Sequence, residues 1–214
     1  MKVLLVAATE MEIQPFSGNR TAAAGDTAPG LLITGVGLTA ATYQLTRRLQ
    51  QGGYDLVVQA GLAGSFDHNL SPGTVVTIGR DAIADQVVAE NGVVKDLFDL
   101  GLTGDNSRPY QQRWLVNPAL ELLQRTGLPV VTGISVNEIT TDPVRIGWYA
   151  HHMSAATESM EGAALHYCCL MENIPFLQLR AVSNFVGERE KVNWKIRESI
   201  DNLNAELKKI IAAL

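Results

Sequence analysis

Residues 155–187 restrict this chain to one kind of architecture. Residues 155–160 have the character of a short strand, and Glu161 stands where an apolar helix begins. Ala163, Ala164, Leu165, Cys168, Cys169 and Leu170 give that helix its apolar face, and Asn173 with Pro175 stops it. A second strand, residues 176–182, follows and runs out at Ser183-Asn184. Such a crossover predicts parallel strands, with Glu161 and Asn184 just past their carboxyl ends at one sheet edge. Open parallel sheets bind their ligands at that edge. Glu161 could equally serve the helix dipole and Asn184 a turn, and spacing alone does not choose.

With 214 residues, 46% of them hydrophobic, the chain can bury a sizeable core, and one domain over 1–214 is expected. A net charge of −5 without a dense Lys/Arg cluster argues against nucleic acid and leaves a small molecule as the partner. Only six apolar residues, Val3 to Ala8, precede Glu10 and Glu12, too short and too acidic a start for a signal peptide. No run of 18 apolar residues occurs, so no membrane partner is expected and the cytoplasm is the expected compartment. Cys168 and Cys169, adjacent in the helix, cannot close a loop and fit the part of small buried hydrophobes. His68, His151, His152 and His166 have no metal-ligand spacing, so neither a metal nor a cofactor is expected.

Residues 2–8 read as a buried strand ending at Thr9-Glu10-Met11-Glu12, whose acids favour the start of a helix. Residues 17–30 read as loop and 31–34 as strand. Gly35-Val36-Gly37-Leu38-Thr39-Ala40 then opens a helix running to about residue 51. That turn matches a dinucleotide fingerprint, which requires an acid at the end of the next strand. Strand 55–60 carries its acid, Asp55, at the start and ends Gln59-Ala60-Gly61, so the dinucleotide reading fails. The turn could still hold an anion or a water. No Lys or Arg lies between Gly35 and Thr46 to help, and only Arg20 and Arg80 could reach in from elsewhere, which leans toward water over phosphate. Gly61 to Phe66 is expected to be a turn of small residues open to a flat ligand. Strands are expected at 73–78 and 130–136, a further apolar segment at 82–88, and a helix at 118–126. Residues 90–115 show turn signals, Asn91-Gly92 among them, without a steady period. A helix over 193–214 carries the stripe Ile196, Ile200, Leu203, Leu207, Ile210 and Leu214, and should cover the sheet.

Met160-Glu161-Gly162-Ala163-Ala164 followed by Arg180-Ala181-Val182-Ser183-Asn184 resembles the signature of the purine nucleosidase and nucleoside phosphorylase family. That family's nucleosidases carry Met-Glu-x-Ala-(Ala or Thr) and Arg-Ala-Ile-Ser-Asp. The Glu-containing turn after the first strand and Gly61-Leu62-Ala63-Gly64 extend the likeness over nearly the whole chain. The ending Asn184-Phe185-Val186-Gly187, with Asn where many members have Asp, is most similar to the futalosine-hydrolysing branch, which serves menaquinone formation. The resemblance implies a single α/β domain with a mixed central β-sheet flanked by helices. It implies hydrolysis of the N-ribosidic bond of futalosine, releasing hypoxanthine and dehypoxanthinylfutalosine. The alternatives are another purine nucleosidase (methylthioadenosine/adenosylhomocysteine type), a purine nucleoside phosphorylase, or a catalytically silent nucleoside-binding protein.

The resemblance also implies roles. Glu12, with Glu10 as the fallback, would take the proton of the attacking water. Glu161 would accept the ribose 2′- and 3′-hydroxyls and face the cationic sugar, with Met160 under it. Gly37, Ala63 and Gly64 would lie against the nucleoside. Ile139, where the family often has a stacking aromatic, would line the base together with Thr140, Ser183 and Asn184. Arg180, counted with the substrate contacts, suits a structural ion pair. Asn184 cannot act as an acid, but its amide can donate N–H groups to O6 and N7 of a 6-oxopurine such as hypoxanthine. Residues 90–115 would help close the site and join a homodimer or higher homo-oligomer.

Overall fold

Val3–Ala7 (β1) has no polar side chain and is buried throughout, as a strand covered on both faces must be. In the computed structural model, which describes residues 1–18, 29–90 and 93–214, β1 lies between two parallel partners, Gly30–Ile33 (β2) and Leu56–Ser65 (β3). Arg20, Asn91 and Gly92 fall outside the described residues, as does most of the expected loop at 17–30.

Gly61-Leu62-Ala63-Gly64 is not a turn, as its composition suggests, but the second half of β3. The length is needed because β3 serves three partners. Its first half pairs with β1, nearly its whole length with Phe176–Phe185 (β10), and its end with Thr157–Ser159 (β9). Val75–Asp81 (β4) runs antiparallel to β10 and parallel to Val130–Ser135 (β8), and β8 runs parallel to β9. Strands β3, β10, β4, β8 and β9 therefore close on themselves, with β1 and β2 continuing the sheet beyond β3. The sheet is mixed, as the family resemblance implies. One expectation fails: β9 and β10 are not parallel. They flank β3 from opposite sides, β9 antiparallel and β10 parallel to it, because the closed sheet lets the helix between them lead to the other side of β3.

Successive residues of β1 go to opposite faces. Leu5 and Ala7 join Val58, Leu179, Leu203 and Leu207 in one core, under Glu10–Ser17 (α1) and Ile196–Ala213 (α6). Leu4 and Val6 join Leu45, Val57, Leu165 and Phe176 in the other, under Leu38–Gln50 (α2) and Gly162–Glu172 (α5). Cys168 and Cys169 are free and buried in this second core, and burial raises the pKa of both. On α6, Ile200, Leu203, Leu207 and Ile210 are buried, each contributing roughly 1.5–3 kcal/mol. Leu214 lies past the helix end and is exposed.

The segment without a period contains a hairpin, Val87–Glu90 (β5) with Val93–Asp96 (β6), apart from the main sheet. Beyond it the chain is tied by Arg113 to Asp96, Asp99 and Asp105 (3.5, 2.7 and 3.0 Å), so side-chain bonds replace a repeating pattern. It ends at Leu115–Val116 (β7), on the edge of β4. Helices Leu120–Arg125 (α3) and Pro143–His151 (α4) complete the order. The sequence reading has no helix at α4, although Asp142 caps it and Pro143 opens it.

Candidate active site

A cavity of about 370 Å³ opens where β3, β9 and β10 end. Glu12, Ala63, Gly64, Ile139, Thr140, Met160, Glu161, Ser183 and Asn184 all line it, so most of the expected site residues come together.

Glu12 reaches the cavity through the start of α1. Its Oε2 accepts the Thr9 N–H (2.9 Å) and hydroxyl (3.0 Å), the returning half of a capping box. Its Oε1 accepts the Leu62 N–H from β3 (3.1 Å). Glu10 is exposed and off the cavity wall, so of the two acids only Glu12 is placed to touch a ligand. Behind it, Asn204 of α6 donates to the Glu12 carbonyl (2.8 Å) and accepts the Phe16 N–H (3.0 Å). Asn204 is a functional support missed in the sequence, where an amide beside Leu203 in an apolar stripe is the available signal. Ile196, at the head of α6, also lines the cavity and does not merely cover the sheet.

Glu161 precedes α5 but does not cap it. The Gly162 and Ala163 N–H groups are taken by the hydroxyls of Ser159 (3.3 Å) and Ser135 (2.8 Å). The carboxylate is thereby free to face the cavity. It is held from behind: Oε1 accepts the Gly37 N–H (3.0 Å), and Oε2 lies 3.6 Å from Arg180 Nη1. Gly37 has a φ of 95°, which glycine alone adopts readily. Arg180, 1% exposed, also donates to Gln59 Oε1 (3.0 Å) and the Leu62 carbonyl (3.3 Å). Gly37 and Arg180, expected among the substrate contacts, stand off the cavity wall and hold Glu161 in place. Gly61 likewise makes room for a side chain: a Cβ there would run into the Arg180 guanidinium.

Asn184 lies inside β10, not past its end. A register shift between Val182 and Asn184 inserts one residue, so that Val182 pairs with Ala63 and Asn184 with Gly64. Bulges re-aim side chains in this way. Gly64 also pairs with Glu158 of β9, so Glu158, Gly64 and Asn184 form one row across three strands. All three line the cavity. The amide of Asn184 is fixed: its Oδ1 accepts the Ser183 hydroxyl (2.7 Å) and its Nδ2 donates to the Phe185 carbonyl (2.8 Å). One amide N–H remains for a ligand.

Glu158 has no role in the sequence reading, because the recognisable motif is centred on Glu161, three residues on. It is 7% exposed, and burial raises its pKa, offset in part by Thr140. Behind Glu161, burial also lifts Asp81 to about 6 and lowers His166 to about 4. The cavity wall carries the carboxylates of Glu12, Glu158, Glu161 and Glu188 against one guanidinium, Arg189. Arg80 is committed elsewhere, donating to the Thr132 hydroxyl (3.1 Å) with its guanidinium 4.3 Å from the Trp114 ring. Among the described residues no group of three or more His, Cys, Asp or Glu is arranged to hold a metal ion. None of the helices among those residues is long and apolar enough to cross a membrane.

Residues 8–214 match the model of the Phosphorylase superfamily. Futalosine hydrolase of Thermus thermophilus is 29% identical over 185 residues, covering 85% of this chain and 80% of that protein. Futalosine hydrolase of Streptomyces coelicolor is 30% identical over 161 residues, covering 75% and 67%. Among solved structures, 5′-methylthioadenosine/S-adenosylhomocysteine nucleosidase of Helicobacter pylori superposes with a TM-score of 0.83 at 16% identity, covering 100% of this chain and 99% of that one, a likeness of fold.

Proposed function

Because the chain belongs to the phosphorylase superfamily, we propose that it hydrolyses the N-ribosidic bond of futalosine, releasing hypoxanthine and dehypoxanthinylfutalosine. The observation that carries this reading is the pair of buried carboxylates, Glu12 and Glu161, on one cavity wall with the fixed amide of Asn184. The similarity to two futalosine hydrolases supports the choice of substrate.

Breaking the bond leaves positive charge on the sugar and negative charge on the departing base, as in glycoside hydrolysis generally. Glu161 accepts the ribose hydroxyls with its remaining lone pairs and faces the ring as charge develops. Met160 packs under the sugar. Glu12 takes a proton from water as the water oxygen bonds to C1′ and the electron pair of the C1′–N bond leaves with the base. The proton then passes to the released hypoxanthine. Asn184 serves the O6 and N7 edge of that base. Four carboxylates against one guanidinium make the wall hostile to a phosphate dianion, which supports water as the acceptor. Menaquinone formation in the cytoplasm, by a homodimer or a higher homo-oligomer, is the setting that fits this activity.

The test is product analysis with futalosine, inosine and methylthioadenosine in parallel, with and without phosphate. Free sugar product and hypoxanthine from futalosine, at a rate independent of phosphate, are expected. A sugar 1-phosphate would make the protein a phosphorylase, preferential release of adenine would make it a nucleosidase of the other branch, and intact bound ligand would make it a binding protein.

A further inference from the structure

We propose that α6 is a strut that sets where the water-activating acid stands, with Asn204 as the positioning residue for Glu12. The inference rests on the hydrolytic reading of Glu12 above, though not on which nucleoside is cleaved. Asn204 is 1% exposed and lies on the buried face of α6, between Leu203 and Leu207. Its Oδ1 accepts the Phe16 N–H (3.0 Å), and its Nδ2 donates to the carbonyls of Glu12 (2.8 Å) and Ile200 (2.7 Å). Phe16 follows Glu12 by four residues in α1, so this N–H and this carbonyl are the pair that a regular helix joins directly. The amide bridges that rung of α1, and the neighbouring rung is weakened because Pro15 brings no N–H to it. A leucine at 204 would cover the sheet without a polar group to satisfy, so the buried amide is explained by what it holds.

Glu12 is fixed at both ends. Its carboxylate accepts the Thr9 N–H and hydroxyl on Oε2 and the Leu62 N–H on Oε1. A carboxylate offers about four acceptor sites, so one remains on Oε1 to take a proton from water. The direction of that site follows from the position of the Glu12 backbone, which Asn204 ties to α6. The head of α6 is in turn anchored to β10. The Lys195 N–H donates to the Ser183 carbonyl (2.8 Å), and the Ser199 hydroxyl donates to the Val182 carbonyl (2.7 Å). Ile196, between these anchors, lines the cavity. Asn204 follows Ser199 by five residues, about 7.5 Å of helix. α6 therefore fixes the proton acceptor relative to the strand that forms another part of the cavity wall. A misplacement of about 1 Å from so remote a contact can cost about 10²-fold in rate.

A kinetic double-mutant cycle tests this. Asn204→Ala removes the bridge and lets the Phe16 N–H and the Glu12 carbonyl bond each other as in a regular helix. In steady-state kinetics on whichever of futalosine, inosine and methylthioadenosine is cleaved fastest, kcat should fall about 10²-fold with KM within about threefold. The same substitution in the Glu12→Gln background should leave the residual kcat within about threefold, because no proton acceptor remains to be positioned. An equal loss in both backgrounds makes Asn204 a merely structural residue and overturns the proposal. So does Asn204→Ala with kcat within about threefold of wild type while Glu12→Gln is impaired, and in both cases the hydrolytic reading stands. Glu12→Gln with near-normal kcat, or a wild type that cleaves none of the nucleosides, overturns that reading and the proposal with it. Should alanine lower the thermal midpoint by more than about 10 °C, Asn204→Ser repeats the cycle. Its hydroxyl can donate to the Ile200 carbonyl of its own helix, which leaves α6 satisfied and α1 unbridged, and the same two patterns decide.

Discussion

Glu161→Gln separates what the carboxylate does for the fold from what it does for the sugar. Arg180 is 1% exposed, and Glu161 is the carboxylate within ion-pair distance of it, at 3.6 Å. Its other acceptors, Gln59 Oε1 and the Leu62 carbonyl, are neutral, and its Nε has no partner among the described residues. Removing the negative charge takes its ion-pair partner from a buried guanidinium and leaves Asp81 as the acid that still acts on it, and breaking such a buried pair costs about 3–5 kcal/mol. For a chain of this size each kcal/mol moves the thermal midpoint by about 2–4 °C, so a fall of about 6–20 °C is expected. Turnover should fall by a further, separate factor of about 10² to 10³, typical of removing one preorganised electrostatic contact to a transition state. Adding Arg180→Met to the glutamine variant removes the stranded charge and should recover part of the midpoint without recovering turnover, a non-additivity that a double-mutant cycle measures. Thermal unfolding and steady-state kinetics on futalosine read the two effects independently. A midpoint within about 2 °C of wild type would refute the buried pair, since it corresponds to about 1 kcal/mol or less. Turnover within tenfold of wild type would refute the placement of Glu161 against the sugar.

Three further outcomes follow from the same geometry. Glu12→Gln should lower kcat by about 10² to 10⁴ with little change in KM, because the amide fits but cannot take a proton; Glu10→Gln, on an exposed side chain, should be silent, and the reverse pattern in steady-state kinetics would exchange their roles. Burial raises the pKa of Asp81 from 3.8 to about 6, so its contribution to stability is present below 3.8 and lost as pH rises through 6, about 3 kcal/mol in all at about 1.4 kcal/mol per unit. Asp81→Asn, which stays neutral, should therefore gain thermal midpoint on wild type between about pH 4 and pH 7, and a difference that does not vary with pH would contradict the assignment. Sedimentation at micromolar protein should show a species of at least twice the chain mass, and a lone monomer would count against the homo-oligomer.

The parts of this molecule that were legible in the sequence are those governed by periodicity and by local stops. The all-apolar β1, the helix between Glu161 and Pro175 and the stripe on α6 follow from side-chain spacing alone. What was not legible depends on partners far away in the chain. Gly61 and Gly64 look like a turn because two glycines in four residues usually make one. They sit in a strand because Arg180 needs the space at 61 and Asn184 and Val186 crowd 64. The direction of β9 against β10 is set by closure of the sheet around β3, which no local pattern encodes. Glu158 was missed for a related reason, since an acid in a three-residue strand gains its meaning from the Thr140 N–H eighteen residues earlier. Arg180 was anticipated as an ion-pair residue, but its partner became visible only in three dimensions.

The motif around Glu161 has a physical explanation in the layer beneath it. Gln59, Asp81, His166, Gln178 and Arg180 are all buried, from β3, β4, α5 and β10, and Gln178 reaches both Asp81 and His166. Apolar side chains of similar volume would often be at least as stable there. The polar layer nevertheless determines how α5 begins. Asp81 Oδ1 accepts the Ser135 hydroxyl (3.0 Å), and that hydroxyl oxygen accepts the Ala163 N–H (2.8 Å), so the helix start is capped from below. A side chain at position 162 would run into Gln178 Nε2 and Asp81 Oδ2, so glycine is required where the family pattern leaves the residue open. With the first turn of the helix satisfied by Ser135 and Ser159, Glu161 need not bend back to cap it. Its carboxylate points into the cavity, held from behind by Gly37 and Arg180. Met-Glu-Gly-Ala-Ala is thus the sequence trace of a helix capped by other residues, an arrangement that leaves an acid free to face the cavity.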